Sequence, residues 1–352
     1  MKIETQLPLG ALDPGLRAAA TRLDLARVGD EARLAEALGY DGIVTEETKD
    51  DPFIVMALAA QATERIGLAT GVAIAFPRAP AVTALAAWTL QRLSRGRFTL
   101  GLGTQVKGHI ERRYGVKWTP PGPWMRDYVG ALRAIWECWQ NGGTKLDYQS
   151  EHYNLSLMVP LFAPPPIEHP EIPIQLAAVN PFMCQIAGEV ADGIRAHPVC
   201  TPRYIEEVML PAAKKGAAKT GRNFAGFEMA AMPLIATAPD SARLEDRVRD
   251  VRARIAFYAS TPTYLIAFES QGYGEVARTL QSYSRAQRWE EMPAFIDDAM
   301  LDCYAVIGTY DEIAAKLNER FAGVATHLEF AVPVAGEADK AALSSLLASL
   351  RA

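Results

Sequence analysis

Residues 39–75 read GYDGIVTEETKDDPFIVMALAAQATERIGLATGVAIA, and this stretch decides the fold. Gly39 stops the helix before it, as a C-terminal glycine does. Asp41 to Thr45 then reads as a strand. Asp51-Pro52 opens a helix, with Asp as the N-cap and Pro at the first helical position. That helix runs to about Glu64. Ile66 to Ile74 is apolar nearly throughout, as a strand buried on both faces should be. Strand, helix and parallel strand in succession imply a parallel sheet covered by helices.

The same alternation extends in both directions. Lys2 to Leu7 is the first strand, followed by a helix over about 18–38. The helix after strand 3 opens at Pro80, and Arg97 to Leu102 is strand 4. Arg126 to Trp139 is helical. Residues 141–173 are polar and Pro-rich, a long surface excursion rather than a linker. Ile174 to Ala178, Asp192 to Ala196, Phe227 to Thr237 and Thr326 to Val334 are strands 5 to 8. Helices lie between them, at the residues up to Val190, at Arg203 to Thr220 and from Asp311. A long helical insertion occupies about 240–298. Eight strands in 352 residues fit one α/β domain over 1–352, a (β/α)8 TIM barrel of ~250 residues with insertions.

Composition narrows the function. Hydrophobic residues make up 49% and charged residues 22%, enough for a large core. Lys plus Arg is 36, Asp plus Glu is 41, and the net charge is -5. No run of one sign marks a nucleic-acid surface. Cys138, Cys184, Cys200 and Cys303 are far apart, which argues against a disulfide framework or zinc knuckle. The first nine residues are no signal peptide, and no apolar run reaches the ~18 residues that span a bilayer. The expected compartment is the cytoplasm, with no nucleic-acid or membrane partner. No HExxH supports a metal site, no GxSxG a hydrolase triad, and GxGxxG is absent.

In such a barrel, chemistry sits at the C-terminal ends of the strands. Glu47, after strand 2, is either an acid/base contact or part of a solvated loop capping the next helix. Gly71-Val72, after strand 3, allows close backbone approach or marks a bulge. Gly101 and Gly103 of strand 4 expose backbone to a flat ring, and Thr104, Gln105 and His109 follow. His109 serves the site or lies on a surface helix. Val179-Asn180 leads into a helix, whose amides suit phosphate, or forms a plain turn. His197, after strand 6, is placed to face the pocket.

With these residues in hand, the chain resembles the luciferase-like monooxygenase superfamily, in its branch of oxidoreductases dependent on coenzyme F420, a deazaflavin. The linked segments are Gly39-Tyr40-Asp41-Gly42, Asp51-Pro52-Phe53, Thr63 to Leu68, Gly71-Val72, Leu93 to Phe98, Gly101-Leu102-Gly103, Tyr114-Gly115 and Ala191-Asp192-Gly193. The resemblance implies a cofactor at the barrel mouth, a homodimer and a small-molecule substrate. It implies a non-proline cis peptide at Gly71-Val72. It implies that Glu47, Thr104, Gln105 and His109 line the ring, while Val179, Asn180 and Met183 meet the phosphate through backbone amides. Two departures stand out. Thr48 occupies a place where several relatives carry histidine, and Val106 one where some deazaflavin dehydrogenases carry a catalytic glutamate. His109, Glu47 and His197 are the remaining proton carriers.

Three functions follow. The first is hydride transfer between F420 and a small organic substrate, with residues 261–268 of the insertion either closing as a lid or packing as a contact. The second is an FMN-dependent two-component monooxygenase. The third is a barrel that binds a ligand without catalysis.

Overall fold

The computed structural model describes residues 1–10, 22–143, 145–334 and 336–351. Eight strands form its centre: β1 (Lys2–Gln6), β2 (Gly42–Thr45), β3 (Gly67–Thr70), β4 (Phe98–Gly103), β5 (Ile174–Ala178), β6 (Gly193–Ala196), β7 (Glu228–Ala231) and β8 (His327–Glu329). Each pairs in parallel with its sequence neighbour. β1 pairs with β8, which closes the ring as an eight-stranded TIM barrel.

The strands form where the sequence alternates or runs apolar. Ile3, Ile43, Leu68, Leu100, Ile194 and Leu328 are almost fully buried, one from each of six strands. Their neighbours in the strand point the other way, into the barrel. Three helices show how the ends are set. Helix α1 (Val28–Leu38) ends at Gly39, in left-handed backbone with φ 100°. Helix α2 (Pro52–Ala62) starts at Asp51, whose side chain accepts from Phe53 N. Helix α3 (Pro80–Leu93) begins on its proline.

Several boundaries differ from the sequence reading. Residues 11–21, where the first helix was expected to begin, lie outside the described residues, and helical structure is described from Leu25 onward. Strand 3 breaks at Gly71-Val72 and resumes as the pair Ala73–Ile74 beside β4. Strand 7 leaves the barrel at Met232-Pro233. Its second half, Leu234–Ala238, pairs with a strand the sequence did not disclose, Ala305–Thr309. Pro233 has no N–H to continue a ladder. Strand 8 is shorter than expected. The excursion at 141–173 holds a small hairpin, Tyr148–Gln149 with Asn154–Leu155, and is less polar than its composition suggested, because Leu157, Leu161 and Phe162 are exposed. The insertion is helical, and its longest helix is Ser241–Ala259. A last helix, Glu337–Arg351, buries Leu343, Leu346, Leu347 and Leu350. Among the described residues, no helix is long and apolar enough to cross a membrane.

Barrel interiors are usually filled by branched aliphatic side chains. This one is charged. Arg195 of β6 donates to both oxygens of Glu4 of β1, at 2.9 and 3.2 Å. Gln175 of β5 donates to Glu228 of β7 at 2.6 Å, and His327 of β8 lies 3.8 Å from the same carboxylate. Burying ions costs free energy unless they are paired, and these are paired.

Candidate active site

The tips of β3, β4 and β5 lie side by side, which brings Gly71-Val72, Gly103 and Val179 to one rim. Thr70 fastens the first two strands. Its Oγ1 donates to Gly101 O at 2.7 Å and accepts from Gly101 N at 2.9 Å. The Gly71–Val72 peptide is cis, as the resemblance implied. The glycines of β4 are explained by the barrel wall itself. A Cβ at Gly101 would lie 1.8 Å from Thr70 O, and one at Gly103 would lie 2.6 Å from Val72 Cγ2. Both glycines are buried, so strand packing accounts for them without a ligand. Gly71 and Val72 are only half-buried and remain on the surface of the mouth.

Glu47 is held on every side. Its Oε2 accepts from Ile74 N at 2.7 Å and from Arg78 Nη1 at 2.6 Å, while Tyr114 OH donates to Oε1 at 3.4 Å. Arg78 also reaches Asp51 at 3.0 Å. A carboxylate so engaged braces the segment after Val72. These contacts weigh against the expectation that it moves a proton.

After β4, Thr104 and Gln105 are half-buried, and Gln105 takes left-handed backbone at φ 54°. Gln105 Oε1 accepts from Val106 N at 2.9 Å, which leaves its amide N–H groups and one oxygen lone pair for a ligand. His109 is exposed on the short helix Lys107–Arg112. Solvent around the ring does not suit a protected proton carrier, which weighs against the catalytic role expected of it.

At the tip of β5, Asn180 caps the helix Pro181–Val190, and its Oδ1 accepts from Met183 N at 2.9 Å. The Met183 amide expected to meet a phosphate is therefore already used. Pro181 has no N–H, and the Val179 carbonyl accepts from Tyr204 OH at 2.9 Å. Only the amides of Val179, Asn180 and Phe182 are left as phosphate donors at this corner.

Arg195 and His197 lie on the interior side of β6 and just beyond it. Cβ atoms at Gly71 and Gly101 would sit 3.8 and 3.4 Å from Arg195 Cδ, so this side chain lies directly behind both glycines. Arg195 Nε is buried with no hydrogen-bond partner among the described residues. His197 packs against Tyr264 and Tyr258, with ring centroids 4.1 and 4.7 Å away. Burial pushes its pKa down to about 3, so it is neutral near pH 7. A neutral imidazole is a hydrogen-bonding group there rather than a proton store. The insertion thus reaches the mouth through Tyr258 and Tyr264. Its apolar stretch at 265–268 is no loose lid, since Ala267 and Phe268 are fully buried.

The opposite half of the mouth is a cavity of about 500 Å³. Gln6, Glu46, Met232, Leu234, Tyr258 and Glu329 line it, and Arg247, Asp250 and Arg254 of the helix Ser241–Ala259 reach it from the side. The sequence reading expected the helical insertion but missed Glu329 and the residues that this helix sends to the cavity. The available signal was a carboxylate between Leu328 and Phe330, in a run otherwise apolar.

Residues 9–327 match the profile of the luciferase-like monooxygenase family. An uncharacterized protein of Mycobacterium tuberculosis is 43% identical over 300 residues, covering 85% of this chain and 88% of the relative. A 5,10-methylenetetrahydromethanopterin reductase of Archaeoglobus fulgidus is 28% identical, covering 82% of this chain and 83% of the relative. Among solved structures, the coenzyme F420 dependent tetrahydromethanopterin reductase of Methanopyrus kandleri superposes with a TM-score of 0.74 at 19% identity, over 99% of this chain and 97% of the other.

Proposed function

This chain belongs to the luciferase-like monooxygenase family, a family of flavin- or F420-dependent oxidoreductases, and we propose that it transfers a hydride between coenzyme F420 and a small organic substrate at the C-terminal mouth of the barrel. One observation carries this reading: a buried guanidinium donor, Arg195 Nε, has no hydrogen-bond partner among the described residues and lies behind Gly71 and Gly101. Buried donors are normally satisfied. The carbonyl or nitrogen edge of a flat heteroaromatic ring is the kind of acceptor that fits. A putative coenzyme F420-dependent oxidoreductase of Mycobacterium tuberculosis, 27% identical over 301 residues, favours the deazaflavin over FMN.

A bound deazaflavin supplies two-electron redox chemistry in the form of a hydride. The chain's own residues do the rest. Val72 and Gly71 would form one wall against the ring. Arg195 would donate to its edge, and Glu4 keeps that guanidinium charge-balanced in the interior. Thr104 and Gln105 would hold polar groups at the rim, and the amides of Val179 and Asn180 would meet the phosphate. Tyr258, Tyr264 and His197 exclude water from the β6 side. Glu47 and Arg78 fix the segment that carries Val72. A homodimer belongs to the same proposal, supported by the exposed apolar side chains Ile54 and Leu58 of α2 and Val82 and Leu85 of α3.

Fluorescence titration tests the reading. Saturable binding of F420 with much weaker binding of FMN is the expected outcome. Preference for FMN would favour the monooxygenase reading. Failure of both to bind would favour a barrel that binds some other ligand.

A further inference from the structure

The cavity between β7, β8, β1 and β2 is lined by the carboxyl groups of Glu46, Asp250 and Glu329, and the reading above gives none of them a task. Glu329 stands opposite Glu4 in the register of β8 and β1. Strand alternation puts His327 and Glu329 on the interior side, while Leu328 is buried toward the helices. Glu4 already occupies the Arg195 guanidinium with both oxygens. Glu329 is left facing two other carboxylates, Glu4 from β1 and Glu46 from the loop after β2, with Gln6 as a hydrogen-bonding neighbour. The other charged or titratable groups around it are Tyr40 ahead of β2, Lys49 after it, and Arg247, Asp250, Arg254 and Tyr258 on the helix Ser241–Ala259. Met232, Leu234, Val251 and Phe330 complete an apolar surround.

We propose that Glu329 holds and delivers the proton of the reaction, and that the cavity it lines receives a small carbonyl or imine. The proposal rests on the hydride-transfer reading. Reducing such a double bond takes a hydride at carbon and a proton at the heteroatom. The reduced deazaflavin gives the hydride and is oxidised. The Glu329 O–H bond breaks, its proton joins the heteroatom as the π bond opens, and solvent later reprotonates the carboxylate. Burial, the Glu46 charge and the Glu4 charge push this carboxyl up to about 8, despite the opposing pull of Arg195, so it carries its proton near neutral pH. Of the three carriers expected from sequence, Glu47 is committed to Arg78, His197 is neutral near pH 7, and His109 is exposed away from the cavity lining.

Infrared titration of the cofactor-free protein tests this without turnover. The expected result is a protonated carboxyl band that disappears near pH 8, is missing from Glu329→Gln and persists in Glu329→Asp. Stability gives a second readout. The folded pKa lies above the ordinary 4.5, so this contribution is complete below 4.5 and is lost as pH rises through 8. Urea unfolding should show that decline in the wild type and in Glu329→Asp, and its loss in Glu329→Gln. In the F420 assay, Glu329→Gln should keep cofactor affinity within about twofold and lose turnover about 100-fold or more. A wild type without a high-titrating carboxyl, or a Glu329→Gln protein that keeps it or turns over at the wild-type rate, overturns the proposal. A wild type that binds no F420 sinks the hydride-transfer reading instead, and the infrared result still decides the state of Glu329.

Discussion

Each carboxylate at the mouth does what its nearest cation allows. Glu47 meets Arg78 at 2.6 Å and becomes a brace. Glu4 meets Arg195 at 2.9 Å, and although burial raises its pKa, the guanidinium outweighs that and holds it below the usual carboxylate value. Glu329 is opposed by carboxylates. Glu47→Gln removes the charge from a pair that is mostly shielded from water, and charged hydrogen bonds of this kind are worth about 2 kcal/mol. Urea unfolding should register a loss of about that size, while the pH profile of turnover keeps its shape. A profile that loses a limb would return Glu47 to the role of acid or base. His197 shows the same dependence on surroundings: a histidine at a strand tip looks like a proton carrier in sequence, and two tyrosine rings make it a neutral one.

β3 and β4 are fitted so closely that their glycines are dictated by the wall. Gly101→Ala would drive a methyl to 1.8 Å from the Thr70 carbonyl, a backbone atom that cannot rotate aside. Such overpacking costs about 3 kcal/mol or more. A stability loss under about 1 kcal/mol would show that the strands separate easily. This element scale is also where sequence was most and least informative. Gly39, Asp51-Pro52 and Pro80 announced helix ends because caps and prolines act locally. Gly71-Val72 stood out as a possible bulge because glycine interrupts an apolar run, whereas the departure at Met232-Pro233 was not read, because apolar residues continue on both sides of it. Ala305–Thr309 could not be separated from the helices around it, since its partner, Leu234–Ala238, lies some seventy residues away. The hairpin at 148–155 has two residues in each strand, too few for any period to show.

Across the whole molecule, the barrel was legible from its alternation, and the rim formed by β3, β4 and β5 from its glycines. The charged interior was not. Glu4, Gln175, Arg195, Glu228 and His327 come from five strands scattered along the chain, and no spacing in the sequence discloses that they meet. The cavity beside Glu329 was hidden for the same reason, because closure of β8 onto β1 makes it. The mouth therefore has two halves, a rim at β3 to β5 suited to a flat ring and a cavity at β7, β8, β1 and β2 suited to a substrate, with Arg195 between them. A crystal structure of the protein with F420 bound tests this division most directly. The account predicts the deazaflavin ring against Gly71-Val72, with an acceptor atom on Arg195 Nε and the Glu329 cavity open beside it. A ring lying in that cavity, or bound away from Arg195 altogether, would contradict it.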